Sequence, residues 1–171
     1  MRITFRLINP MKLNIQRVSK VTLERVNKEL RIILKVNQCI STKEVIDWYV
    51  KSDNKQNKKF MQCDIENFYG SISQDLFKKI LSWARSKTYI SDTAIDVILC
   101  ARRNVLFDGT DVWIRKQDSE FDIGMGSFDG AECSELTGLY LLNKMIHEEK
   151  IYSPEEVVLY RDDMLTISEG S

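Results

Sequence analysis

The spacing of apolar and polar positions divides this chain into short strands and amphipathic helices. Ile3 to Ile8 alternate polar and apolar and predict a strand that stops at Asn9-Pro10. Val18, Val21, Leu23, Val26, Leu30, Ile33 and Leu34 recur at helical spacing, with lysines and arginines between them, predicting a helix over 18–36. Ser41-Thr42-Lys43-Glu44 reads as a capping box opening a short helix through Val45, Ile46, Trp48 and Tyr49. Residues 51–59 hold four lysines and no apolar side chain, and read as a loop. Its plain role is a solubilising loop; its functional alternative is contact with a phosphate backbone.

The second half repeats the alternation. Phe60 to Ile65 predicts a buried strand with Asp64 near its end, where a charge needs a partner. Ser73 is placed to cap a helix over 74–87 with Leu76, Ile80, Leu81, Trp83 and Ala84 inward, and Ser91 a second helix over 92–104. Asp108-Gly109, flanked by Val105-Leu106-Phe107 and Val112-Trp113-Ile114, is a hairpin signal. A glycine-rich loop over 124–130 feeds a long helix over 131–149, with Leu136, Leu139, Tyr140, Leu142, Met145 and Ile146 apolar. Gly130 and Gly138 stand at the start of this helix and inside it, where Gly costs about 1 kcal/mol against Ala. Close packing and close approach of a ligand to the backbone explain them equally well. A strand pair, Val157-Val158-Leu159 and Met164-Leu165-Thr166-Ile167, closes the pattern around Tyr160-Arg161-Asp162-Asp163. The order predicts an α+β layer, with helices on one face of a mainly antiparallel sheet.

Composition narrows the function classes. Lys plus Arg is 25 and Asp plus Glu is 25, so global charge does not point to nucleic acid, although local patches could supply it. Hydrophobic residues at 43% and charged residues at 29% fit a globular protein. No apolar run approaches the roughly 18 residues of a membrane span, and the first ten residues are too short and interrupted for a secretory signal, so the expected location is intracellular, in cytoplasm or nucleus. Cys39, Cys63, Cys100 and Cys133 are widely spaced among apolar neighbours and are expected as buried free thiols. The single histidine, His147, lies beside two glutamates and is expected at the surface, which leaves His-based acid–base chemistry without support.

The candidate chemistry lies in carboxylates. Asp162 and Asp163 sit at the expected hairpin tip, where adjacent like charges repel. A solvated turn accounts for them, since Asp is a common turn residue; so does a divalent cation, which takes carboxylate oxygens. If the strand ending at Asp64 neighbours the strand ending at Tyr160, three carboxylates converge. Two divalent ions about 4 Å apart, as used in in-line phosphoryl displacement, need such a cluster.

These segments resemble the reverse transcriptases. Phe60-Met61-Gln62-Cys63-Asp64-Ile65-Glu66-Asn67-Phe68-Tyr69 is similar to that family's first catalytic motif, with an aromatic residue five positions after the aspartate. Tyr160-Arg161-Asp162-Asp163 is similar to its Tyr-x-Asp-Asp motif, and Gly126-Ser127-Phe128-Asp129-Gly130 with Ser134 to its Gly-x-x-Gln-Gly-x-x-x-Ser-Pro motif. Arg6 resembles the fingers arginine that contacts the incoming triphosphate. The motifs stand in the family's order, and the resemblance covers nearly the whole chain. It implies a palm-like sheet over 60–171 and a partial fingers region over 1–59. It implies an RNA-directed DNA polymerase, a nucleotidyltransferase that uses two Mg2+ ions, with Mn2+ as a substitute, an RNA template, a DNA primer and deoxynucleotide triphosphates. Asp64 and Asp162 would bind both metals, Asp163 would support them, and the backbone carbonyl of Ile65 would face a metal. Tyr69 would lie under the nucleotide sugar and select against a 2′-hydroxyl, Gly130 would admit the template–nucleotide pair, and Arg6 would hold phosphate.

Three departures from the family pattern shape the expectation. Asp129 replaces the family's glutamine, and Glu135 replaces its proline. A negative charge at 129 would repel a triphosphate unless a metal or an arginine compensates it. The chain also ends eight residues after Asp163, whereas the family continues into a helical thumb. The expectation is therefore a fingers–palm fragment of a retroelement polyprotein. The alternatives are a catalytically inert palm-like domain that binds nucleic acid or a partner, and another palm enzyme such as an RNA-directed RNA polymerase or a nucleotide cyclase; Tyr69 argues against RNA synthesis.

Overall fold

A computed structural model describes residues 13–104, 106–107, 109–113, 120–124 and 126–169. The strand expected over 3–8, with Arg6, lies outside the described residues. Elements follow in the order α1 (Asn14–Leu34), β1 (Gln38–Cys39), α2 (Thr42–Lys51), β2 (Lys58–Asp64), α3 (Phe68–Ser71), α4 (Gln74–Lys87), α5 (Asp92–Cys100), β3 (Leu106–Phe107), β4 (Val112–Trp113), α6 (Gly130–Asn143), β5 (Val157–Tyr160) and β6 (Asp163–Glu169).

The serine-capped starts of α2, α4 and α5 are where the sequence puts them, while α1 begins at Asn14, four residues before the expected 18. The hydroxyls of Ser73 and Ser91 accept the backbone N–H groups of Leu76 and Ala94, both at 3.2 Å. Ser41 accepts from the Glu44 N–H at 3.4 Å, but the Glu44 carboxylate reaches one residue further back, to the Ile40 N–H at 2.9 Å. The helix expected to run to 104 ends at Cys100, where the chain turns to carry Arg102 inward.

The larger sheet has the order β1-β5-β6-β2. β2 and β5 both run antiparallel to β6, while β1 is parallel to β5. The sheet is therefore mixed rather than antiparallel throughout, within an α+β architecture. β1 is two residues long, too short for a periodicity signal. The separate β3–β4 hairpin pairs Leu106 with Trp113 and Phe107 with Val112, around the expected turn.

Helices flank both faces of the sheet, which corrects the one-face expectation. On one face, a Cβ built on Gly138 of α6 would stand 2.7 Å from Leu159 Cδ2 and 2.6 Å from Gln38 Nε2. Close packing thus accounts for this glycine. α2 packs beside β1 and β5, and Tyr49 meets Phe60 on the opposite face at 5.2 Å between ring centres. β2 corrects a second expectation. Among the described residues it is an edge strand, and Met61, Gln62 and Asp64 are exposed instead of buried.

One core joins α1 with α4, α5, α6 and β5: Leu23, Val26 and Leu30 belong to the same cluster as Phe77, Ile80, Ile98, Leu136, Leu139 and Leu159. It runs continuously across position 59. In α1 the buried face is Leu23, Val26, Leu30 and Leu34 together with Ser19 and Asn27, whereas Val18, Val21 and Ile33 point to solvent. Asn27 belongs inside because its amide donates to the Glu132 carbonyl of α6 at 2.9 Å. The four thiols are free; Cys39 and Cys133 are buried, Cys63 is half-buried, and Cys100 is exposed, against the expectation of burial. His147 is exposed as expected, and its Nε2 lies 3.0 Å from the Leu34 carbonyl at the end of α1.

Candidate functional site

Apolar positions in β2, β5 and β6 zip these strands together, and that register brings the acidic residues to one end. Asp64 lies directly opposite Asp163 in the β2–β6 pair, and Tyr160 opposite Asp163 in the β5–β6 pair. Arg161 and Asp162 form the two-residue turn, with Arg161 at φ 58°. A positive φ at the first central position is what a tight hairpin between twisted strands requires. The turn is tied to the end of β2, because the Ile65 N–H donates to the Asp162 carbonyl at 3.1 Å.

Directly paired residues share a face, and alternate residues along a strand do too. Asp64 and Asp163 therefore project from the same face as Gln62 and Phe60. The Gln62 amide donates to Asp163 Oδ1 at 3.2 Å and fixes that carboxylate beside the strand. Both aspartates are exposed and Asp162 is half-buried. Among the described residues no lysine or arginine forms an ion pair with any of the three. Two like charges at a cross-strand position, unmatched by a described cation, suit a hard divalent ion that fills its remaining positions with water or phosphate oxygen. Among the described residues no group of three carboxylate, thiol or imidazole side chains is already gathered for a metal.

Tyr69 and Gly130 come from the other two motifs. Tyr69, on α3, is half-buried against the core, edge-on to Phe68 at 5.9 Å. Its hydroxyl lies 3.5 Å from that of Ser134 in the first turns of α6, so the first and glycine-loop motifs meet here. Gly130 is buried. A Cβ there would meet Ser127 Oγ at 2.5 Å and the Gly124 carbonyl at 3.0 Å, so the loop's own atoms occupy that space.

The two departures in this loop are neutralised internally. Asp129 is fully buried and ion-paired with the fully buried Arg102, whose second guanidinium nitrogen donates to Ser127 Oγ at 3.3 Å. Its charge is thus held inside the loop by an arginine. Glu135 pairs with Arg31 of α1 at 2.7 Å. Glu132 pairs with Lys20 at 3.1 Å; burial pushes its carboxyl above the usual range, and the Lys20 ammonium opposes that shift. Arg102 was not singled out by the sequence reading. Its signal was the unbalanced Asp129, which demanded an arginine without saying which.

No family model matches the chain, and no curated protein or solved structure matches it.

Proposed function

We propose that this chain is the fingers–palm portion of an RNA-directed DNA polymerase, with the sheet as its palm, transferring deoxynucleotides from their triphosphates to a primer 3′-hydroxyl on an RNA template. The observation that carries this reading is the register: Asp64 opposite Asp163, with the Asp162 carbonyl bound to the Ile65 amide. Two motifs almost a hundred residues apart in sequence thereby meet at one exposed strand end. The neutralisation of Asp129 by Arg102 supports it further, since the charge that would repel a triphosphate is matched by a buried arginine.

Asp64 and Asp162 would hold Mg2+, or Mn2+ in its place, with Asp163, directly opposite Asp64, in support. Such an ion, when bound, lowers the pKa of an attacking hydroxyl and stabilises charge on the transferring phosphoryl group. Gln62 orients the Asp163 carboxylate. The Ile65 amide holds the turn against β2, so that Asp162 stays near the strand end. Tyr69, braced by Phe68 and Ser134, would present its ring edge to the nucleotide sugar.

Primer extension on an RNA template with Mg2+ tests the reading. Asp64→Asn and Asp162→Asn should each abolish incorporation while the circular dichroism spectrum stays unchanged. Extension that survives in either variant would remove the metal assignment.

One observation favours a second reading, a catalytically inert palm-like domain: no three metal-binding side chains are gathered among the described residues. Salt-dependent RNA binding without incorporation is its signature, and measurable turnover excludes it.

A further inference from the structure

α1, the turn between β1 and α2, and the first turns of α6 wall a groove of about 560 Å3, a size that small ligands use. Four glutamates line it, Glu24 from α1, Glu44 from α2, and Glu132 and Glu135 from α6, against Lys28 and Arg31 of α1. Lys20, which does not line the groove, reaches Glu132 at 3.1 Å and Glu24 at 3.8 Å, so carboxylates still outnumber these cations by four to three. Ile32 and Ile40, 68% and 58% exposed, add apolar surface to the same groove.

An acidic excess alone is a solvated face; Glu132 is different. Its side chain is 10% exposed, and Lys20 holds one carboxylate oxygen, Oε1. The other, Oε2, is buried and has no hydrogen-bond partner among the described residues. A buried carboxylate oxygen without a donor is costly, so this wall of the groove is one donor short. Burial pushes the Glu132 carboxyl above its usual range, and a further cation beside it would favour the charged form. The neighbouring carboxylates are partly engaged: Glu135 pairs with Arg31 at 2.7 Å, and Glu44 accepts the Ile40 N–H at 2.9 Å.

We propose that this groove binds a linear alkylammonium group, the ammonium donating to Glu132 Oε2 and the alkyl stem lying over Ile32 and Ile40. The site uses none of Asp64, Asp162 and Asp163 and does not rest on the nucleotidyl-transfer reading. With Oε1 taken by Lys20, a single oxygen is left, which suits a compact point donor better than the planar fork of a guanidinium. The two isoleucines favour an organic cation over a hydrated ion, because a methylene stem gains by covering apolar surface while its charged head stays with the carboxylates. A free aliphatic diamine and the lysine side chain of another polypeptide share this chemistry.

The test is an amide NMR titration of the isotope-labelled chain at constant ionic strength, with diaminopentane and with acetyl-lysine amide as probes. Saturable shifts are expected at the Ile40 and Glu44 amides and at the Asn27 side-chain amide, which donates to the Glu132 carbonyl. Tighter binding of diaminopentane identifies a free amine as the ligand, and tighter binding of acetyl-lysine amide a lysine side chain. Glu132→Gln should weaken binding about tenfold, the loss of one charged hydrogen bond. Ile40→Ser, a change at an exposed position that keeps every charge, should weaken it about threefold and covers the case in which Glu132→Gln disturbs the packing of α6. Glu155→Gln, at an exposed position outside the groove, should bind as the wild type does. Pentanediol, the same stem without charge, should give no saturable shift. Absence of saturation with both amines, or wild-type affinity in both Glu132→Gln and Ile40→Ser, would overturn the proposal. So would ammonium chloride shifting the same amides with equal affinity, since bare charge attraction would then suffice.

Discussion

Asp64 and Asp163 stand directly opposite one another across β2 and β6, two carboxylates sharing one register position. Like charges placed so are destabilising, by roughly 0.2–1 kcal/mol. Without divalent ions, Asp163→Asn should therefore raise the midpoint of thermal unfolding slightly. Adding Mg2+ should raise the wild-type midpoint and leave that of the variant almost unmoved. A wild-type midpoint indifferent to Mg2+ up to tens of millimolar would argue against an ion between these two residues.

The Arg102–Asp129 pair is fully buried, and Arg102 Nε and Asp129 Oδ2 have no partner among the described residues. Removing one member strands a charge in the interior, at a cost of about 3–5 kcal/mol. Arg102→Met should show that loss in urea unfolding. Arg102→Met/Asp129→Leu should recover most of it, because no charge is left to solvate. A double variant as unstable as the single one would mean that the pair matters through its shape and not through its charge.

The strands of this site were legible in the sequence because short local apolar runs specify them: Phe60 to Ile65, Val157 to Leu159 and Met164 to Ile167. The serine caps of α4 and α5 were legible for the same reason: a single side chain specifies each. What escaped depends on neighbours distant in sequence. β2 reads as buried, yet it lies at the sheet edge, and nothing local in Met61 or Gln62 says which strand will be outermost. Val18 and Val21 continue a helical stripe that the fold leaves outside, because Ser19 and Asn27 take the buried face, from which Asn27 donates to α6. Arg102 lies just past the end of α5, beside Arg103, and its burial makes sense only once Asp129 is paired with it.

Gly130 separates two explanations. If close packing of the loop demands it, Gly130→Ala overpacks Ser127 and the Gly124 carbonyl and should cost about 1–3 kcal/mol in denaturant unfolding. If the demand comes only from a nucleic-acid ligand, stability is unchanged and only binding falls. The contacts within the loop lead us to expect the stability loss.

The thiols should react in an order set by burial. Cys100 is exposed and should alkylate first, followed by the half-buried Cys63. Burial pushes the Cys39 thiol up to about 11 and raises that of Cys133 further. At pH 8 a thiol titrating near 11 is thiolate in about one part in a thousand, and the thiolate is the reactive form. Mass spectrometry after a short iodoacetamide pulse should find Cys39 and Cys133 unmodified until denaturant is added. Rapid labelling of Cys133 in the folded protein would show that α6 opens far more readily than its packing implies.

Lys20 and Glu132 make a pH-dependent contribution whose sign follows from burial. The Glu132 carboxyl is pushed above its ordinary range by burial, so the native state holds a proton there more tightly than the unfolded chain does. Stability from this group is highest below the unfolded carboxylate pKa and declines as pH rises through the raised folded value. Lys20 counteracts the decline: its ammonium donates to Glu132 and is itself held above its usual pKa. Its own contribution is present below its unfolded pKa and is lost as pH rises above that value. Lys20→Met removes the ammonium while keeping much of the stem, and should leave Glu132 buried without its cation. The expected loss is small near pH 4, where Glu132 is protonated in both variants, and grows to about 1–2 kcal/mol by pH 7, between the values for exposed and for buried pairs. Unfolding free energies measured at both pH values check this, with Lys20→Met/Glu132→Gln restoring a flat difference. A Lys20→Met loss that is the same at pH 4 and pH 7 would show that the lysine acts through its stem packing and not through its charge.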